Sequence, residues 1–196
     1  MKGEPVRHFF SDRKNAKVIG FCWGLAEGIF FFLVPDVYIS FATLFSKRTG
    51  LLAWIYSILG SLVSVAVVYI LVSYAQASYI SFLAYVPGIS TGLISHAEQL
   101  IATRGLPYTP LLVLGGIPLK VYTTTALSAG ISFSSVLVWA LFARVVRIGP
   151  TFLLFILIRS IFRKHIDAHP LGWTIVLGLS WVVFYTWYFI AIGRTY

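Results

Sequence analysis

At 196 residues, with 59% hydrophobic and 11% charged residues and a mean hydropathy of +0.89, the chain has too little polar surface to cover a water-soluble globule. Fifteen basic residues against six acidic ones give a formal charge of +9, but the excess lies beside apolar segments, where it sets topology and meets anionic headgroups; no nucleic-acid partner is expected. The single cysteine, Cys22, excludes a disulfide framework and a cysteine metal site, and it reads as an inert packing residue in an apolar context.

The N-terminal MKGEPVRHFFSDRKNAK is basic and polar, like the charged region of a signal peptide. The apolar run that follows carries Glu27 and lacks a small-residue cleavage site, so residues 1–17 read as a retained cytoplasmic tail. Five apolar segments follow, at about 18–46, 51–75, 107–130, 132–158 and 171–193. The second, fourth and fifth have the length and composition of ordinary transmembrane helices.

Segment 18–46 is different. Pro35-Asp36 interrupts it, and basic clusters bound it at both ends: Arg13, Lys14 and Lys17 before, Lys47 and Arg48 after. A single crossing would put those clusters on opposite faces, against the tendency of Lys and Arg to remain cytoplasmic, whereas a re-entrant hairpin puts both on one side. Pro35 removes a backbone donor and disfavours helix at Val34; such a break is tolerated at depth when protein or a polar cavity surrounds it.

Beyond it, 51–75 runs outward and 76–106 lies outside, with Leu93, Ala97, Leu100 and Ile101 forming the apolar side of an interfacial helix that Gly105 and Pro107 end. Segment 107–130 dips in from outside and returns, 132–158 comes inward, and 171–193 goes out again. This layout keeps Lys2, Arg7, Arg13, Lys14, Lys17, Lys47, Arg48, Arg159, Arg163 and Lys164 inside and leaves only Arg104 and Arg194 outside. Pro35-Asp36-Val37-Tyr38 with Ala42 also matches Pro118-Leu119-Lys120-Val121-Tyr122 with Ala126, one residue being inserted after the proline. The two dips then form inverted repeats, an arrangement in which broken helices meet near the midplane around a substrate site.

Five charges sit alone in apolar sequence, and a lone charge at membrane depth is expensive unless paired, hydrated or facing a substrate. Glu27 and Asp36 lie nine residues apart in the first dip. Low dielectric favours a neutral carboxyl and a nearby cation favours a charged one, a balance that suits proton coupling or gating. The structural alternative is that Glu27 neutralises Arg144 or Arg147 and Asp36 caps the helix after Pro35. Arg144 and Arg147, three apart on one helix face, have the planar donor forks to hold a phosphate, or else one pairs with Glu27 and the other snorkels. Gly149-Pro150 beside them is a place for that helix to bend. Lys120 in the second dip is either a substrate contact or the partner of Asp36. Pro35, Gly115, Gly116 and Pro118 are hinge candidates, while Gly24, Gly28 and Gly60 suit tight helix packing. Thr123, Thr124 and Thr125 either line a cavity or bond back to helical carbonyls. The charge-free last span, rich in Trp173, Trp181, Tyr185, Trp187 and Tyr188, reads as structural, with rings that anchor an interface.

The four histidines lie near predicted ends or loops, no metal-ligand spacing or Gly-Lys-Ser phosphate loop is present, and no nucleophile–base arrangement is recognisable. No metal, cofactor or enzymatic activity is therefore expected.

AEGIFFFLVPDVYIS, GGIPLKVYTTTALSAGIS and ARVVRIGPTFLL, in this order over about 18–163, resemble the DedA superfamily, also called the VTT or SNARE-associated Golgi protein family, and are most similar to its YqaA-like branch. The resemblance implies two inverted re-entrant hairpins and translocation of phospholipids or a polyprenyl-phosphate, in bacteria often driven by the proton motive force. It maps the family's first-dip acids onto Glu27 and Asp36, its second-dip base onto Lys120, where many members carry arginine, and its following arginines onto Arg144 and Arg147.

The expectation is thus an all-α integral membrane protein with one membrane domain over 1–196: tail 1–17, repeat 18–75, extracytoplasmic segment 76–106, repeat 107–163 and C-terminal helix 171–193. Its expected function is proton-coupled lipid transport across the cell membrane. Arg144, Arg147 and Lys120 would hold an anionic phospholipid or polyprenyl-phosphate, with Glu27 and Asp36 as proton-coupling groups. The competing readings are an exporter of small cations or ions and an intramembrane phosphate-transfer enzyme; assembly into a homo-oligomer is left open.

Overall fold

The computed structural model describes residues 3–106 and 116–195, with side chains to Ile190. Among these residues there are eight helices and no strand: α1 (Glu4–Ser11), α2 (Arg13–Ile29), α3 (Asp36–Phe45), α4 (Lys47–Leu83), α5 (Thr91–Arg104), α6 (Leu119–Ser128), α7 (Phe133–Ala168) and α8 (Pro170–Thr195). Three of them, α4, α7 and α8 over Pro170–Ile190, are long and apolar enough to cross a membrane.

Close approach of α2 to α4 organises the rest. Gly20, Gly24 and Gly28 recur at four-residue spacing and so share one face of α2, where Ala53, Ser57, Gly60 and Ser64 of α4 meet them. A Cβ placed on Gly24 would lie 2.0 Å from the Ser57 carbonyl oxygen, and one on Gly60 would lie 2.1 Å from that of Phe21. Only glycine lets the two backbones come this near, and Ser61 Oγ exploits the approach by donating to Gly24 O at 3.3 Å. The contacts ascend together, Gly20 with Ala53, Gly24 with Ser57 and Gly28 with Ser64, so α2 and α4 run parallel. Residues 30–46 must therefore carry the chain back to its starting level, through the break around Pro35 and then α3, which packs on α4 and α7.

Several boundaries differ from the sequence reading for identifiable reasons. The basic tail contains α1, whose Phe10 stacks on Phe41 at 5.0 Å and on Phe45 at 6.0 Å, so aromatic packing orders a segment that polarity alone marks as a tail. The span expected at 51–75 continues as helix to Leu83 beyond a non-helical Ala75, and the one expected at 132–158 continues to Ala168 past a non-helical Phe162. Gly149-Pro150 causes no departure from helical dihedrals; α7 deviates at Phe162 instead. Cys22 faces outward rather than into packing. In α5, Leu93, Ala97 and Ile101 are buried as the periodicity predicts, and Gly105 ends the helix at φ 68°. Thr123, Thr124 and Thr125 bond back to the carbonyls of Leu119, Lys120 and Val121, the second of the two readings above. The entry to the second predicted dip, 107–115 with Gly115, lies outside the described residues.

Two glycines should respond oppositely to a methyl group. Gly24→Ala is expected to cost about 1–3 kcal/mol through overpacking. Gly149→Ala, whose Cβ would meet nothing within 4 Å, is expected to be neutral or stabilising by about 0.5–1 kcal/mol through helix propensity. Thermal unfolding of the detergent-solubilised variants measures both.

Candidate functional site

Breaking a helix leaves backbone groups without intrahelical partners. Around residues 29–34 side chains from α2, α4, α6 and α8 fill the vacancies. Tyr79 donates its hydroxyl to Ile29 O at 2.9 Å, Trp23 Nε1 donates to Leu33 O at 2.9 Å, and Val34 N donates to the Tyr185 hydroxyl at 2.8 Å. Lys120, at the start of α6, donates Nζ to Glu27 O at 2.9 Å and to Phe31 O at 3.1 Å. An ammonium at the C-terminal end of α2 also complements the negative end of that helix dipole.

The same lysine belongs to a charge cluster. Its Nζ is 3.9 Å from Glu27 Oε1, and Arg144 Nη2 from α7 donates to Glu27 Oε2. All three side chains are almost wholly buried. Three elements far apart in sequence, α2, α6 and α7, are thus joined through one carboxylate, which is the ion-pair alternative foreseen for Glu27 and Arg144. Lys120 is beside Glu27 and the α2 carbonyls, with no bond to Asp36 among the described residues.

Asp36 and Arg147 occupy a different setting. Asp36 opens α3, accepts a hydrogen bond from Thr151 Oγ1 of α7 at 2.5 Å, and has a buried Oδ2 with no hydrogen-bond partner among the described residues. Arg147, one turn along α7 from Arg144, is half-buried and has neither a hydrogen bond nor an ion pair among the described residues. Both line a cavity of about 660 Å³ whose remaining wall is largely apolar and aromatic: Val34, Leu154, Phe155, Leu177, Trp181, Phe184 and Trp187. Leu154, Phe184 and Trp187 are exposed, so the cavity opens sideways along the seam between α7 and α8. The two arginines predicted as a pair therefore divide: Arg144 is committed to Glu27 and Arg147 faces the cavity.

Of the hinge candidates, Pro35 sits at the N-cap of α3 and Pro118 at that of α6, while Gly116 adopts φ 86°, a conformation that favours glycine. Gly116 and Pro118 line a second cavity of about 30 Å³ together with Glu27, Lys120 and Arg147.

The chain matches no family model, no curated protein and no solved structure.

The geometry itself supplies the chemistry on offer. Three cations and two carboxylates converge, so the cluster carries one uncompensated positive charge when all are ionised, and its least encumbered cation faces the wide cavity. Sequence reasoning missed Thr151, Trp181 and Tyr185 in this setting. Thr151 lies four residues after Arg147 and hence on its face. Trp181 and Tyr185 are also four apart; Trp181 Nε1 donates to Ser40 Oγ at 3.0 Å, so α8 is fastened to residues 34–40 by two hydrogen bonds from one face. That one-turn spacing of two polar-tipped rings was the available signal.

Removing one partner of the buried pair should be costly. Arg144→Ala is expected to destabilise by about 3–5 kcal/mol because it strands a buried carboxylate, and adding Glu27→Gln to Arg144→Ala should recover part of that loss. A double-mutant cycle on thermal stability in detergent reads the coupling, and additive losses would show that the pair carries no coupling. Tyr185→Phe, which leaves the Val34 N–H without its acceptor, should cost about 1–3 kcal/mol and speed hydrogen exchange at residue 34.

Proposed function

We propose that this chain is a lipid transporter that moves an anionic phospholipid or polyprenyl-phosphate across the cell membrane, with protons as the coupling partner. The observation that carries the proposal is Arg147: a half-buried guanidinium with no hydrogen bond or ion pair among the described residues, lining a cavity whose wall is largely apolar and partly exposed between α7 and α8. On this reading the cavity lies within the bilayer, where a charge without a direct partner is expensive unless a ligand or water meets it. A lipid phosphate at Arg147 with its chains leaving between α7 and α8 satisfies both halves of the cavity, and the fork of the guanidinium suits phosphate oxygens. The excess positive charge of the cluster favours an anion over a cation.

Glu27 and Asp36 are the coupling groups on this reading. Protonation of Glu27 frees Arg144 and Lys120 toward phosphate, and ionised Glu27 takes them back. Pro35, Pro118 and Gly116 provide the points about which the short helices move. The architecture assigned is two inverted repeats, each a re-entrant hairpin followed by a spanning helix, with the basic N-terminal tail in the cytoplasm. Its support is the parallel course of α2 and α4 and the matched helices: α3 and α6 each have 10 residues, and α4 and α7, with 37 and 36 residues, each carry one non-helical residue near their C-terminal end. Resemblance of the three quoted stretches to the DedA superfamily points the same way.

Movement of headgroup-labelled anionic lipid in proteoliposomes tests the proposal. Arg147→Gln is expected to slow it by about tenfold or more, since one charge-assisted contact is worth about 1.5–3 kcal/mol, while thermal stability stays near that of the native protein. Equal rates for the native chain, Arg147→Gln and Glu27→Gln would remove the assigned site. Transport that follows Glu27 but tolerates loss of Arg147 would favour the exporter of small cations or ions.

A further inference from the structure

We infer that Phe32 and Tyr188 form a gate between the wide, membrane-open cavity and the face of the protein that carries the α4–α5 loop. This inference rests on the transport reading for its purpose and on cavity geometry for its existence. Two cavities meet at Arg147. The wide one contains Asp36 and Thr151, and the small one, about 30 Å³, is bounded by Pro87, Gly88 and Ile89 of the α4–α5 loop and by Glu27 and Lys120. Their walls share Phe32, Val34, Gly116, Arg147 and Tyr188, so these residues form the partition, and two of its side chains are aromatic rings.

The partition is built to be movable. Phe32 lies in the non-helical stretch between α2 and α3, and the structure places it against α8 through Phe189, with ring centroids 5.8 Å apart. On the other side Tyr188 stacks within α8 on Phe184 at 6.2 Å and lies edge-on to Phe189 at 5.6 Å. A Cβ on Gly88 would be 3.5 Å from Phe189 and 3.8 Å from Tyr188, so the loop rests on these rings; at φ 82° this turn favours glycine. Ring-to-ring contacts of this kind are worth about 0.5–1.5 kcal/mol each, so truncating either ring weakens the closed state by a measurable amount. The small cavity holds about one water, which is too little for a phosphate headgroup. A headgroup at Arg147 therefore leaves toward the loop face only when Phe32 and Tyr188 part, whereas its chains remain in the α7–α8 seam throughout. The gate thus acts on the headgroup alone.

Accessibility of one cysteine beneath the partition tests this without any lipid being transported. In a Cys22→Ser background, Thr151→Cys is placed in sealed proteoliposomes and a membrane-impermeant thiol reagent is added on the α4–α5 loop face. Labelling is expected to be slow in this background and to accelerate about tenfold or more when Phe32→Ala or Tyr188→Ala is added, because removing a ring turns a minor open state into the dominant one. Trp187→Ala, which lines the wide cavity but not the partition and makes no ring contact with Phe32 or Tyr188 among the described residues, is the control and should leave the rate unchanged. Equal labelling in all variants overturns the gate, as does equal acceleration by Trp187→Ala, which would mean general loosening of α8. Faster labelling in the gate variants, together with lipid movement that ignores Arg147→Gln, would keep the gate and discard the lipid reading.

Discussion

A helix that stops inside a packed structure leaves carbonyls and amides without intrahelical partners, and the rest of this structure follows from how the stretch after α2 satisfies them. Lys120 has the central part. Its ammonium takes the carbonyl of Glu27 in the last turns of α2 and that of Phe31 just beyond the helix, and it sits beside the Glu27 carboxylate, so one side chain answers both a backbone demand and a charge demand. Neither partner is stable in place without the other: a buried lysine needs oxygens around it, and a truncated helix needs donors. Arg144 then completes Glu27 and fastens α7 to the same point. The junction of α2, α6 and α7 is therefore fixed by desolvation costs more than by apolar packing, which is nearly indifferent in lipid.

Close packing of α2 on α4 makes that junction reachable. Without side chains at Gly20, Gly24 and Gly28, α2 lies directly on the α4 backbone, and its C-terminal turn arrives where Lys120 can meet it. Small residues thus do at the base of the molecule what charges do at its centre: each brings polar backbone into contact that larger or neutral side chains would prevent. The two kinds of contact run side by side along α2, with Gly20 and Gly24 before Glu27 and Gly28 just after it, which explains why a helix of mixed composition can carry the most buried acid in the chain.

Much of this was legible in the sequence because membrane burial penalises exceptions so heavily. The isolated charges Glu27, Asp36, Lys120, Arg144 and Arg147 stood out against apolar neighbours, and the structure gathers them around one junction and its adjoining cavities. Pro35 announced the break, and the glycine spacing announced the tight face. What could not be read was pairing. Whether Arg144 or Arg147 would take Glu27 depends on a rotation about the α7 axis of which three-residue spacing says nothing, and the lysine's preference for carbonyls of α2 over Asp36 depends on how far α2 extends before it breaks. α8 was the larger omission. Lacking charge, it offered no exception to notice, yet Tyr185 and Trp181 bind the broken segment through polar tips on otherwise apolar rings. Aromatic residues are ambiguous in this way because the same ring suits a lipid interface and a buried hydrogen bond.

The peripheral position of α8 gives the proposed transport a low mechanical demand. It is fastened to the broken segment by two hydrogen bonds and packs near its start against Phe45 and Ile166, while its middle stands off far enough to leave the wide cavity. A lipid whose chains stay in the bilayer needs the protein to shelter only its headgroup, and the distance to be covered inside is the short stretch from Arg147 past Phe32 and Tyr188. Rearranging the residues between α2 and α3, which leave helical geometry at Phe30 and are held partly by side chains, is enough for that. Two packed helices sliding as bodies would have to give up the glycine contacts of α2 and α4 as well. If the chain transports as proposed, energetic grounds make the broken segment the element that moves and the glycine-packed pair the frame against which it does so.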